Sequence, residues 1–283
     1  MNIIDTHQHL IDPGVSRYSW AEGLPPLAGQ SFLYADYLRE IQGTGIEGTV
    51  FMETSPDDWR LEHGKILELA SLPGSLIRGI VAGAHPEEEG FAEWIDSIRD
   101  RRLSGIRRIC HVEADGFSAQ PRFVENVRRL GPLGLTFDLC FLSRQLPQAL
   151  SLVRACPDVR FILDHCGVPD IQGEGLDPWR ARIRELAAEP NVACKISGIV
   201  AYCAPGTDLA AEVRPYVLHT IESFGWDRVV WGGDWPVCTL GCSLSRWVEI
   251  SRELVADCTR AEQEALFHRN AGRIYRLAGG ASA

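Results

Sequence analysis

The sequence predicts an α/β protein folded as a single (β/α)8 barrel of the TIM type over residues 1–283. Three observations carry that expectation. Eight short apolar runs alternate with longer amphipathic stretches, and no linker-like segment interrupts them. Polar and ionisable residues gather at the C-terminal ends of those runs, where a barrel of this kind carries its chemistry. A His-x-His in the first run and an aspartate closing the last, His7, His9 and Asp234, are brought together if the first and last strands are neighbours. A doubly wound open sheet, the alternative, holds those strands apart.

The expected strands cover 2–10, 48–54, 76–84, 105–110, 135–141, 160–165, 192–197 and 229–234. Most are near-continuous apolar runs, as parallel strands buried on both faces require. Helical spacing is read over 57–71, 87–100, 147–155, 178–188, 209–224, 245–255 and 262–277. Asp177-Pro178 looks like an N-cap followed by proline at the first helical position. Gly74, Gly131, Gly134 and Gly225 follow helical runs, where a left-handed cap is needed. The longest loops, roughly 11–31, 111–120, 168–176 and 199–208, fall after the first, fourth, sixth and seventh strands. The first carries Tyr18, Trp20 and several prolines and reads as a lid or a pocket wall.

Composition narrows the function. A hydrophobic content of 45% supports a sizeable core, and a net charge of −10 speaks against a nucleic-acid or anionic-membrane surface. No apolar stretch is long enough to span a bilayer, and the chain opens directly into a strand, so a cytoplasmic location is expected. Nine cysteines, an odd number without Cys-x-x-Cys, read as reduced thiols; Cys238 and Cys242 fit a structural role better than a metal or redox pair. Oligomeric state is not legible, and a homo-oligomer stays open.

The strand ends present, in order, His7 and His9; Glu53; His85; Arg107, Arg108 and His111; Asp138 and Cys140; Asp164 and His165; Lys195 and Ser197; and Asp234. Burying such groups without partners costs several kcal/mol each, about 2–7 for a neutral polar group alone, so a site explains them better than a core does. Neutral imidazoles with a carboxylate suit zinc or a related divalent ion, which lowers the pKa of a bound water to about 7. A neighbouring carboxylate takes the proton, a combination that hydrolyses esters, lactones or amides. Arg107 and Arg108 alternate sides, so one of them faces the lumen and can grip a substrate oxygen. Glu53 fits three roles: ligand, substrate anchor or ion-pair partner, with Lys195 as the partner in the last case. His85, before Pro86, is open between structure and function; His63, His219 and His268 lie in helical stretches and read as non-catalytic.

Four segments together resemble the amidohydrolase superfamily: Ile4-Asp5-Thr6-His7-Gln8-His9, Asp164-His165-Cys166-Gly167, Gly233-Asp234-Trp235-Pro236 and His268-Arg269-Asn270-Ala271-Gly272-Arg273-Ile274-Tyr275. The resemblance is closer to its branch of sugar-lactone and related lactone hydrolases. It implies an amidohydrolase-like barrel with one mononuclear site and Asp234 as general base. It implies that His7, His9 and His165 (with Asp234) bind one divalent metal, zinc first, or else hold the lactone carbonyl themselves with no metal. The pattern departs at the fifth strand. Members with a firmly held metal carry a histidine there, and this chain has Phe137-Asp138-Leu139-Cys140. The expected reaction is opening of a small sugar-acid or dicarboxylate lactone in carbohydrate or related catabolism. Asp234 and His165 are its catalytic residues, and Arg107 or Arg108, Glu53, Trp20 and Tyr202 contact the substrate. A metal-dependent decarboxylase of an unsaturated or aromatic acid is the alternative, weakened by the missing fifth-strand histidine; a barrel that only binds a small molecule is the third.

Overall fold

The computed structural model describes residues 1–173 and 175–277. Eight parallel strands follow one another around the sheet in chain order. They are β1 (Ile3–Gln8), β2 (Ile46–Met52), β3 (Ile77–Gly83), β4 (Leu103–Ile109), β5 (Thr136–Cys140), β6 (Arg160–Leu163), β7 (Val192–Ile196) and β8 (Val229–Trp231). The ring is drawn together between the first and last strands. The Asp234 amide donates to the His7 carbonyl at 2.6 Å, the His9 amide to the Trp235 carbonyl at 2.9 Å, and Thr6 Oγ1 to the Trp231 carbonyl at 2.7 Å. This is a (β/α)8 barrel, and its closure is what carries the two ends of the chain to one place.

Helices coat the outside: α1 (Tyr34–Glu40), α2 (Trp59–Ser71), α3 (Phe91–Ser97), α4 (Pro121–Arg128), α5 (Leu130–Leu133), α6 (Leu146–Ala155), α7 (Leu176–Ala187), α8 (Leu209–Phe224), α9 (Leu244–Leu254), α10 (Arg260–Glu264) and α11 (Asn270–Ile274). The helices α1, α4 and α5 were not expected from the sequence. Two boundaries also move. Gly175 precedes α7, so Pro178 lies inside its first turn rather than opening it, where the missing N–H still costs no helical bond. Gly131 sits inside α5 with ordinary backbone, while Gly74, Gly134 and Gly225 take positive φ as expected. The final helical stretch is broken by a π turn at Ala265–Arg269, and Asn270 Nδ2 beyond it donates to the Trp226 and Val229 carbonyls.

Two cores result. The outer one lies between strands and helices and is rich in aromatics such as Phe123, Phe137 and Phe161, whose rings meet edge to face. The inner one fills the lumen at the N-terminal end with Ile4, Val50, Val81, Ile162 and Val230, closed below by Ile274, Tyr275 and Leu277. At ~1.5–3 kcal/mol per buried aliphatic side chain, this plug fixes the strands at one end. The other end is left to polar groups. No helix among the described residues is long and apolar enough to cross a membrane.

Candidate active site

His7 and His9 project together from the end of β1, with their Nε2 atoms 3.0 Å apart. Residues two apart on a strand share a face, so the His-x-His pattern is enough to put both rings in the lumen. Asp234 reaches the same point from the turn after β8. Its Oδ1 lies 3.2 Å from His9 Nε2 and 3.5 Å from His7 Nε2. All three are buried. His165 arrives from the end of β6, its Nδ1 4.0 Å from Asp234 Oδ2 and 2.9 Å from Ser197 Oγ. Both Asp234 and His165 hold left-handed backbone, at φ 56 and φ 53. Such strain in non-glycine residues gathers where a side chain must be aimed. Gly198 makes room for the pair. A Cβ there would fall inside contact distance of Asp234 Oδ2 and His165 Nδ1, and its φ of +60 suits glycine.

Below these four lies a ring of buried charge. Lys195 Nζ donates to Asp138 Oδ2 at 2.8 Å and Asp164 Oδ1 at 2.9 Å, and stands 3.1 Å from His7 Nδ1. Tyr275, from the segment that closes the barrel floor, donates to Asp138 Oδ2 at 2.6 Å. The expected Lys195–Glu53 pair does not form. Glu53 takes Arg107 instead, at 2.7 Å, because Asp138 and Asp164 on the neighbouring strands capture the ammonium. Burial alone would push the Lys195 pKa down, but the two carboxylates outweigh it and raise it. Asp164 is held well below the usual carboxylate range, against its burial, by Lys195 and His7. The His7 pKa is lowered well below the ordinary imidazole value by burial and by Lys195, and that of His165 is lowered chiefly by burial.

Arg107 faces the lumen and Arg108 does not. Arg107 donates through Nε to Glu53 Oε1 and through NH1 to Asp164 Oδ2 at 3.3 Å, with NH1 also 3.2 Å from His7 Nε2. Its guanidinium is thus turned onto the protein and is not an open fork for substrate. Arg108 lies on the other face of β4, between Glu87 and Glu113, with its guanidinium over the Phe117 ring. Trp20 lies in the wall of the first loop, packed with Ile11, Tyr18, Ala21 and Leu27, and its indole N–H donates to the Thr54 carbonyl at 2.8 Å. Tyr202 stands beside His165, ring centroids 6.5 Å apart. It lines a cavity of about 570 Å³ with Leu142, Arg144, Val168, Asp170 and Gln172. His85 stacks on Trp59 and pairs with Glu88, away from the cluster.

Sequence reasoning passed over Asp5. This buried carboxylate accepts from the His7 amide at 2.9 Å, the Gly233 amide at 2.7 Å and the Tyr37 hydroxyl at 2.8 Å. It ties the His-x-His strand to the turn that carries Asp234, and burial raises its pKa to about 6. Its place in the opening segment was visible, but its partner Tyr37 lies in a helix that was not expected. His111 and Cys140 also pair, Nδ1 to Sγ 3.1 Å, at the end of β5.

A divalent ion is tested by spacing. Donors about 2.0–2.1 Å from a tetrahedral zinc lie roughly 3.3 Å from one another. The contacts of 3.0, 3.2 and 3.5 Å among His7, His9 and Asp234 match that spacing. His7, Asp164 and His165 form a second group of buried donors at suitable separations. The donor set therefore fits a metal. All nine cysteines are free thiols, and none joins such a group among the described residues.

Comparison with known proteins agrees with this architecture. Residues 4–277 match the model of a family described as amidohydrolase. An L-fucono-1,5-lactonase of Burkholderia multivorans is 30% identical, over 97% of this chain and 96% of its own. An L-rhamnono-gamma-lactonase of Scheffersomyces stipitis is 23% identical, over 97% and 98%. A crystal structure of an amidohydrolase from Burkholderia multivorans with bound zinc superposes with a TM-score of 0.89 at 26% identity, covering 98% of this chain and all of that one. The chain belongs to the amidohydrolase family.

Proposed function

We propose that this protein is a lactonase, a hydrolase that opens the ring ester of a small sugar acid or a related carboxylic acid. The observation that carries the reading is one carboxylate, Asp234, held 3.2 Å from His9 Nε2 and 3.5 Å from His7 Nε2. The similarity to named lactonases supports the substrate class. A water beside Asp234 gives up a proton to the carboxylate and attacks the ring carbonyl. His165, beside His7, donates to the oxyanion, and His7 does so where no metal intervenes. The ring C–O bond then breaks, and the proton on Asp234 passes to the departing alkoxide, leaving a hydroxy acid. A metal held by His7, His9 and Asp234, with His165 near, would supply Lewis-acid polarisation of the carbonyl and a lower water pKa. Tyr202 and the other walls of the adjoining cavity face the rest of the ring, with Trp20 holding the first loop as a wall. Arg107 and Glu53 act as a buried ion pair that braces His7 and Asp164. The cyclic ester is reactive enough that such a lean site suffices.

The test is proton release from a panel of aldonolactones and dicarboxylate lactones, with metal content measured before and after chelation. Hydrolysis of one class is expected. Turnover that is lost on chelation and returns with zinc assigns the carbonyl to a metal; turnover indifferent to chelation assigns it to the imidazoles. No hydrolysis of any lactone sinks the reading and moves the assay to decarboxylation of unsaturated acids.

A further inference from the structure

We infer that Tyr37, on helix α1 outside the barrel, is a positioning residue that sets how far Asp234 stands from His7 and His9. The reacting set is divided across one joint of the barrel, with the two histidines on the β1 side and Asp234 on the β8 side. Every other joint between neighbouring strands is a parallel ladder. Between β8 and β1 the backbone supplies one isolated bridge among the described residues, Gln8 to Trp235. The joint that must hold the site in register is therefore the one with the least backbone pairing.

Side chains make up the difference. Asp5 Oδ1 accepts from the His7 amide at 2.9 Å on one side and from the Gly233 amide at 2.7 Å on the other. Gly233 directly precedes Asp234, so one carboxylate oxygen clips a member of the histidine pair to the turn that carries the base. It serves both amides only while the carboxylate keeps its orientation, and the terminal torsion of an aspartate is soft. The second oxygen is what fixes it: Tyr37 donates to Asp5 Oδ2 at 2.8 Å.

Tyr37 also reaches the far side of the joint. Its ring packs on Trp235, the residue after Asp234, with centroids 5.6 Å apart. Hydroxyl and ring thus hold opposite sides of the same joint, and both Tyr37 and Trp235 are buried. The clip has no slack, since a Cβ at Gly233 would fall 2.6 Å from Asp5 Oδ2. Tyr37 acts on the reacting groups through Asp5 and Trp235. The expected effect on rate rests on the lactonase reading; the expected effect on geometry does not.

Tyr37→Phe deletes the hydroxyl and keeps the ring on Trp235. Lactone kinetics should show kcat roughly tenfold lower with KM within about twofold of wild type, because misplaced reacting groups slow the chemical step and leave uniform binding alone. Crystal structures of wild type and variant in one crystal form should show the separation of Asp234 Oδ1 from His9 Nε2, 3.2 Å here, changed by about 0.5 Å or more. Asp5→Asn is the conservative control. Its amide oxygen still accepts from both backbone N–H groups, and the Tyr37 hydroxyl can turn to accept from its NH2 group, so kcat should stay near wild type. Wild-type kcat in a Tyr37→Phe protein that has lost only Tm makes the hydroxyl a fold-stabilising bond and overturns the inference. An unmoved Asp234–His9 separation overturns it whatever the kcat, and so does a rate loss in Asp5→Asn as large as that in Tyr37→Phe, which would assign the effect to the charge of Asp5. Should the wild-type protein open no lactone, the lactonase reading falls by itself, and the crystallographic comparison still decides this inference.

Discussion

Replacing Asp234 with asparagine keeps the outline of the side chain and removes its capacity to take a proton. The backbone amide still donates to the His7 carbonyl at 2.6 Å, so the strand closure that positions the site is untouched. The expected result is a kcat lower by roughly 10²–10⁴, the range of a general base, with Tm within a few degrees of wild type. Wild-type kcat in a folded Asp234→Asn would remove the residue from the mechanism. Gly198 offers a test of aim rather than of chemistry. Gly198→Ala pushes a methyl group against both Asp234 and His165 and asks an L residue to hold φ +60. The backbone cost is on the order of 1–2 kcal/mol. The displacement of two reacting side chains should cost far more in rate, because a 1 Å misplacement is worth on the order of 10² in turnover. A kcat/KM within threefold of wild type would mean that the close approach has no bearing on catalysis.

At the scale of elements, the loop between β1 and α1 is the part whose role is least fixed by its residues alone. Trp20 looked like a substrate contact; in the structure its indole N–H is spent on the Thr54 carbonyl at the end of β2. It holds the loop as a wall. Trp20→Phe keeps the packing and deletes that bond, so KM should rise severalfold with kcat little changed; a fall in kcat at constant KM would instead assign Trp20 to the reacting centre. The same contrast explains what was readable. All eight strands were legible, because a strand buried on both faces writes itself as a continuous apolar run. His7, His9, His165 and Asp234 were legible because strand ends and a period of two fix where such groups point. The helix α1 was not, since seven residues give too short a stripe to stand out. Nor were the partners of Arg107 and Lys195. The sequence presents Glu53, Asp138 and Asp164 as equivalent acids at strand ends, and only the neighbour order around the barrel decides which cation each one meets. Arg107 therefore turns out to be held on both sides, and Asp5 acquires its place only through Tyr37 and Gly233.

For the molecule as a whole, concentrating ionisable groups inside one barrel makes stability a function of pH, with a sign that can be worked out. Burial leads the causes that lower the pKa of His7, His63, His85, His165 and His219, and together with Arg107 it brings that of His111 down to about 4. For each, the unfolded chain takes up a proton as pH falls below about 6.5 while the folded chain does not, so stability is lost on acidification. Three acids act in the opposite sense. Burial raises Asp5 to about 6 and also raises Asp138 and Glu62, so the folded chain holds protons there that the unfolded chain has released. The imidazoles outnumber these acids, and the net proton uptake on unfolding between about pH 5 and 6.5 is positive. The urea midpoint should therefore fall steadily from pH 7 to pH 5. His111→Gln should flatten that slope, since it removes one of the rings that the folded state keeps neutral and leaves the strand framework intact. A midpoint that is level or rises toward pH 5 would mean that the buried acids, and not the imidazoles, govern the titration of the barrel.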